Sequence, residues 1–296
     1  MCGVVSFSGK LLLNRIVYVN KSPEEFQLSL QVVLTPAEGK RLIGRAVAQM
    51  EIVQNALKEG IIVVATSTTT AFVVEELLKK KIENKGLFTA GVVTAKGCCI
   101  TDPKGRYMHQ VIEKGKVTEM QTPDLPKVMA KMGPNDVFIK GANAIDPLGM
   151  AAIWLGGAGG GTIGTVWGYI TSLGVKTIIA TGLEKLIPFS LADLVPKMGI
   201  KTVDKSLGMA VGMMVVEGEV VTEVEAFNML TSATAMPMGG GGIDGGEGSK
   251  AFLIEGDDDA IKATYDLVCG IKGEPPLKTR TQHCKMCDAK CDYKEK

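Results

Sequence analysis

The chain has 296 residues, with 33 Lys plus Arg against 32 Asp plus Glu and a formal net charge of +1. That balance gives no long-range attraction to a nucleic acid or an anionic membrane, and neither is expected as a partner. Hydrophobic residues make up 46% and aromatics only 5%, which excludes a disordered chain and implies a core of aliphatic side chains. The 36 glycines fall in clusters, unlike those of a collagen repeat or a flexible linker.

Residues 1–33 hold short apolar runs (4–7, 16–19 and 28–34) that predict small strands or an entry hairpin. Thr35, Pro36 and Glu38 then predict a helix start, with a capping Thr, a Pro at the first helical position and a Glu closing a capping box. Leu42, Ile43, Val47, Met50 and Val53 continue at helical spacing to Gly60. Residues 61–65 form a short β-branched run that reads as a buried strand, and 71–81 read as the helix after it. Strands are predicted at 92–93, 107–117, 137–140, 150–155 and 177–181, with helices at 124–132 and 162–173.

Residues 147–175 carry no charge and are long enough for a membrane span, but nine of them are Gly. Each Gly costs ~1 kcal/mol relative to Ala inside a helix, so a buried strand, a turn and a buried helix are the expectation. Past residue 201 the order becomes strand (209–216), helix (223–230), strand (233–238), strand (251–255), helix (257–269). The fold class expected is α/β: a Rossmann-like, mostly parallel sheet with helices on both faces, plus a small C-terminal α+β unit of ferredoxin-like type. The domains expected are a Rossmann-like ligand-binding domain (1–200), the small unit (201–273), suited to homo-oligomerisation, and a Cys-rich tail (274–296). Seven cysteines without a secretory leader predict a reducing, cytoplasmic setting.

Three stretches carry candidate chemistry. Thr66, Ser67, Thr68, Thr69 and Thr70 lie between a strand and a helix, where hydroxyls and unpaired N–H groups meet an anion. Gly159, Gly160 and Gly161 lead to Thr162 and a predicted helix. The run 159–164 also satisfies G-x-G-x-x-G, with Glu184 twenty residues on, so an NAD(P)-dependent oxidoreductase is one alternative. In the tail, His283, Cys284, Cys287 and Cys291 have metal-ligand spacing, suited to zinc or, with an outside ligand, an iron–sulfur cluster. Cys98 and Cys99 read as structural thiols, His109 as a structural histidine, and the glycines at 239–248 as a mobile hairpin.

The run Val137-Phe138-Ile139-Lys140-Gly141-Ala142-Asn143-Ala144-Ile145-Asp146 resembles the strand and Gly-Ala-Asp turn of one superfamily. Its members include ribose-5-phosphate isomerase, the sugar-sensing domain of DeoR-type repressors, initiation factor 2B-like isomerases and the CoA transferases. Residues 65–70, 159–165 and 178–185 resemble its other loops in the same order, so the likeness covers about 35–200. It implies a Rossmann-like sheet with the ligand at the carboxyl ends of the strands, and a phosphorylated or carboxylated metabolite, such as a sugar phosphate or CoA ester, as the small anionic partner. Lys140, Asn143 and Lys185 would then join the hydroxyl and glycine loops in binding. Isomerisation or acyl transfer would fall to Asp146 or Glu184, because Asn143 replaces the family's carboxylate and an amide cannot act as a base. A non-catalytic metabolite sensor on the same fold is the other alternative.

Overall fold

The computed structural model describes residues 28–293. The apolar runs at 4–7 and 16–19 lie outside them. The run from 28 onward is strand β1 (Leu28–Leu34). Among the described residues it pairs with no neighbour in sequence but runs antiparallel to β14 (Ser249–Gly256), from Leu28 opposite Gly256 to Leu34 opposite Lys250. β13 (Thr234–Gly241) flanks β14 on its other side.

Helix α1 (Pro36–Gln49) starts as its sequence dictates. Thr35 Oγ1 accepts from Glu38 N–H at 3.3 Å, and Glu38 Oε2 accepts from Thr35 N–H at 2.8 Å. The single helix expected to Gly60 is two helices, because Met50 leaves helical dihedrals (φ −56°, ψ 135°) before α2 (Glu51–Glu59). Gln54 Nε2 donates to Ala48 O at 2.6 Å across the break and satisfies one of the carbonyls it exposes.

The central sheet has six strands, β2 (Ile61–Val64), β5 (His109–Glu113), β6 (Lys116–Met120), β7 (Val137–Lys140), β10 (Lys176–Ala180) and β12 (Glu219–Val221). Their spatial order is β12-β10-β7-β2-β5-β6. The first four run parallel, and β5 and β6 complete the sheet antiparallel. The fold is therefore mixed α/β with a mixed six-stranded sheet. The single strand expected at 107–117 is in fact the β5–β6 hairpin, turned at Lys114 and Gly115, both at positive φ (48° and 78°). A separate antiparallel sheet joins β8 (Ala144–Ile145), β9 (Ala151–Leu155) and β11 (Gly212–Val216), and β3 (Gly91–Thr94) pairs with β4 (Gly97–Ile100).

The remaining helices are α3 (Thr70–Leu78), α4 (Leu125–Met129), α5 (Gly161–Leu173), α6 (Leu191–Leu194), α7 (Glu223–Thr231) and α8 (Asp258–Cys269). α1 lies against both α3 and α7, and α4 against α5. α3 comes close enough to α1 that a Cβ on Gly44 would stand 2.8–2.9 Å from Phe72 Cβ and backbone carbon. The elements of 201–273 occur in the order expected, with β12 added, but their strands serve three sheets: β11 joins β9, β12 joins β10, and β14 joins β1. One apolar cluster runs from Val32 through the central strands to Phe252 and Ile271. Among the described residues no helix is long and apolar enough to cross a membrane, and the uncharged stretch 147–175 is β9, a glycine turn and α5.

Candidate functional site

Polar side chains collect at one edge of the central sheet, and the strand order explains why. Parallel β2, β7, β10 and β12 all end there, and antiparallel β5 begins there, with Gln110 opposite Val64. Five neighbouring strands thus deliver His109, the 66–70 loop, Lys140, Glu184 with Lys185, and Glu223 to a single row.

At the β5 end, His109 is buried. Its Nδ1 accepts from Thr66 N–H at 3.0 Å, which fixes the tautomer with hydrogen on Nε2. Nε2 then meets Thr122 Oγ1 at 2.9 Å and Thr162 Oγ1 at 3.4 Å, and the two hydroxyls are 3.1 Å apart. Burial, with the Lys140 charge added, drops its pKa to about 4, so it is neutral at pH 7. This histidine, read from sequence as structural, ties the hydroxyl loop to the start of α5. No motif marks it, because its partners come from three distant segments.

The hydroxyl loop divides by role. Ser67 Oγ accepts from the N–H of Thr70, the first residue of α3, at 3.1 Å, and Thr70 Oγ1 donates to Ala65 O at 2.7 Å. Thr66 and Thr68 stay half-buried, and the buried Thr69 Oγ1 has no hydrogen-bond partner. Gly141 lets β7 approach this loop, since a Cβ there would stand 2.5 Å from Ser67 Oγ.

Next in the row, Lys140 Nζ donates to Thr66 O at 3.1 Å, and Lys185 Nζ to Ala142 O at 2.7 Å. Desolvation lowers both ammonium groups to about 8, helped at Lys140 by the charge of Lys185 and at Lys185 by that of Lys40. Glu184 Oε1 pairs with Lys40 Nζ at 2.5 Å. Burial alone would raise the Glu184 pKa, but the Lys40 and Lys185 charges hold it below the ordinary value. Its Oε2 is buried without a partner. Beside it, buried Glu223 accepts from Leu183 N–H at 2.8 Å, and desolvation together with the Glu184 charge pushes it up to about 7. Glycines make room for these carboxylates. A Cβ on Gly39 or Gly182 would overlap Glu223 Oε1 or Glu184 Oε2, and Gly248 of the second glycine cluster lies against Glu184. Sequence reasoning missed Lys40 and Glu223. Lys40 stands inside α1, and Glu223 reads as an ordinary acidic first-turn residue.

Of the other sequence candidates, Thr162 touches the row through His109, and the rest bond elsewhere. Asn143 Oδ1 accepts from Trp154 N–H at 3.0 Å and braces β9. Asp146 is buried, and its carboxylate takes backbone N–H bonds from Leu148 (2.9 Å), Met150 (3.0 Å) and Leu191 (3.1 Å), the role of a turn residue. Gly159 is exposed, Gly160 and Gly161 take positive φ (75° and 57°), and Thr162 of this turn reaches His109. A dinucleotide fingerprint requires the strand before the glycines to belong to the parallel sheet, whereas β9 lies in the separate antiparallel sheet. In the tail, His283 Nδ1 accepts from Lys285 N–H at 3.2 Å, and Cys284, Cys287 and Cys291 are half-buried. Among the described residues no three His, Cys, Asp or Glu side chains are gathered closely enough to hold a metal ion. Two surface grooves of about 400 and 420 Å³ lie along β1 and α8 and along β6, the second lined by Met108 and by Met120, which pairs with His109.

Comparison with protein-family models, curated proteins and solved structures finds no match to the chain.

Proposed function

We propose that the protein binds a small phosphorylated or carboxylated metabolite at the carboxyl edge of a Rossmann-like central sheet. The observation that carries this reading is the set of buried polar atoms without partners at that one edge: Thr69 Oγ1, Thr181 Oγ1 and Glu184 Oε2. Buried polar groups are almost always hydrogen-bonded, and an unpaired one costs ~1–3 kcal/mol. Three along one row, beside three lysines, suit a ligand with several oxygens. The start of α3 adds the positive end of its helix dipole. Lys140 and Lys185 supply local charge to a chain whose net charge is only +1.

The same row holds groups able to move a proton. Glu223, near neutral pH in its proton affinity, stands beside ionised Glu184, which is the pairing that acid–base chemistry requires. Such a pair serves proton abstraction next to a carbonyl, the step of an isomerisation. For acyl transfer, Glu184 would act as nucleophile after leaving Lys40.

Titration calorimetry of the full chain against inorganic phosphate, sugar phosphates, CoA esters and NAD(P) tests the reading. Saturable binding of one of the first three, weakened tenfold or more in Lys185→Met and unchanged in Lys262→Ala, is expected. No heat with any of them, or NAD(P) binding that survives Lys185→Met, overturns it.

A further inference from the structure

The tail cysteines and the adjacent pair Cys98–Cys99 are separated by nearly two hundred residues, yet the chain brings them to one place. Residues 280–282 run beside the outer edge of β4: Asp102 N–H donates to Arg280 O at 2.8 Å, Thr101 bridges Thr281, and Gln282 N–H donates to Ile100 O at 2.8 Å. Farther along the same edge, Met209 N–H donates to Cys98 O at 2.7 Å. The tail returns at the far side of that segment, where Ala210 N–H donates to Lys290 O at 3.0 Å and Asp292 N–H donates to Ser206 O at 2.7 Å. Residues 283–289 therefore arc from beside Ile100 to beside Ala210, along the outer edge of the strand that carries Cys98 and Cys99. Both ends of the arc are fixed by backbone hydrogen bonds, and a short helical turn (Cys284–Met286) sets the spacing of the first two thiols. Five of the six described cysteines, all unpaired and half-buried, lie in this region; only Cys269 lies elsewhere.

We propose that this is a structural zinc site of four thiolates, Cys284, Cys287 and Cys291 from the tail and one cysteine of β4. The C-x-x-C-x-x-x-C spacing supplies three ligands of a tetrahedral ion, and the strand beneath supplies the fourth. Successive residues of a strand point to opposite faces, so only one of Cys98 and Cys99 turns toward the arc. The side chains are not drawn together, so Zn–S bonds of about 2.3 Å require the tail to close on the strand. A single ion fits better than an iron–sulfur cluster. The arc is polar and half-exposed, with Lys285, Asp288, Lys290 and Asp292, and offers little apolar volume for a cluster. His283, whose Nδ1 holds Lys285 N–H, serves as the cap of the turn and not as a ligand.

The test uses the full chain purified after expression with added zinc, then stripped and reloaded with Co²⁺. One zinc per chain and an intense tetrahedral cobalt spectrum with sulfur charge-transfer bands are expected. Cys287→Ser should lose both, His283→Ala should keep both, and only one of Cys98→Ser and Cys99→Ser should lose the spectrum. Circular dichroism of each variant separates ligand loss from unfolding. The proposal is overturned by a chain without stoichiometric metal, by iron with labile sulfide, or by hairpin variants that both keep, or both lose, the cobalt spectrum while folded.

Discussion

At the scale of single residues, the site depends on side chains held away from their ordinary protonation. Lys140 and Lys185 titrate near pH 8 because burial disfavours their charge. A bound anion restores that charge, so binding takes up protons between about pH 8 and the ordinary lysine value, and affinity falls as pH rises through that window. Calorimetry at pH 8.5 in two buffers of different ionisation enthalpy should show this uptake as a buffer-dependent heat; equal heats would refute it. His109 has the opposite consequence for stability. Its pKa is lowered to about 4 in the fold, so the unfolded chain binds more protons between pH 6.5 and pH 4. Its contribution to stability is complete above pH 6.5 and is lost as pH falls toward 4. His109→Gln should flatten the acid limb of urea-unfolding stability over that interval; an unchanged slope would show that other groups set it. The residue scale is also where sequence reading was weakest. The 66–70 loop was visible from its strand end, because loop and helix entry are local properties, whereas both lysines came only with the superfamily resemblance. Lys40 and Glu223 were not visible, since the first enters from a helix preceding the sheet and the second resembles any capping-box neighbour. Asp146, Asn143 and His109 carry no signal that separates bracing from chemistry, because their hydrogen-bond partners are set by tertiary contacts.

At the scale of elements, two glycines measure how tightly the pieces meet. Gly44 of α1 faces Phe72 of α3 at a separation no Cβ tolerates. Gly44→Ala should destabilise the protein by ~1–3 kcal/mol, the ordinary cost of overpacking, despite the better helix propensity of Ala. Chemical denaturation checks it, and a gain in stability would mean that the helices separate freely. Gly86 lies under the tail, where a Cβ would overlap Lys278 O. Gly86→Ala should loosen 278–282 and raise proteolytic cleavage of the tail while the central sheet melts as before. Short, strongly patterned elements such as the capped helix at Pro36 were legible in sequence. The break at Met50 was not, nor was the β5–β6 hairpin, because Lys114 at positive φ is an uncommon turn residue that composition does not announce.

At the scale of the whole molecule, the charged row joins residues from α1 to α7, and a ligand there would brace most of the chain at once. Ligand at 100 times its dissociation constant should raise unfolding free energy by ~2.7 kcal/mol. The increase should vanish in Lys185→Met, as followed by thermal melting. Alternation of strands and helices made the α/β class readable, but the pairing of β1 with β14 was beyond reach, because nothing local in either strand names its partner.

That pairing bears on how the chain assembles during synthesis. The central sheet leaves the ribosome in the order β2, β5, β6, β7, β10, β12: the hairpin docks on one side of β2, then each parallel strand docks beside the last on the other, so every strand finds its place without rearrangement. β1 is made before every other described strand, and its described partner comes only when Lys250 to Gly256 have been translated. Its exposed Leu28 and Val33 sit on an unpaired strand through nearly the whole of translation, the interval in which a strand edge recruits a neighbouring chain. Among the described strands the last step is then the closing of the earliest onto one of the youngest, and a stalled or truncated product is left with that strand open.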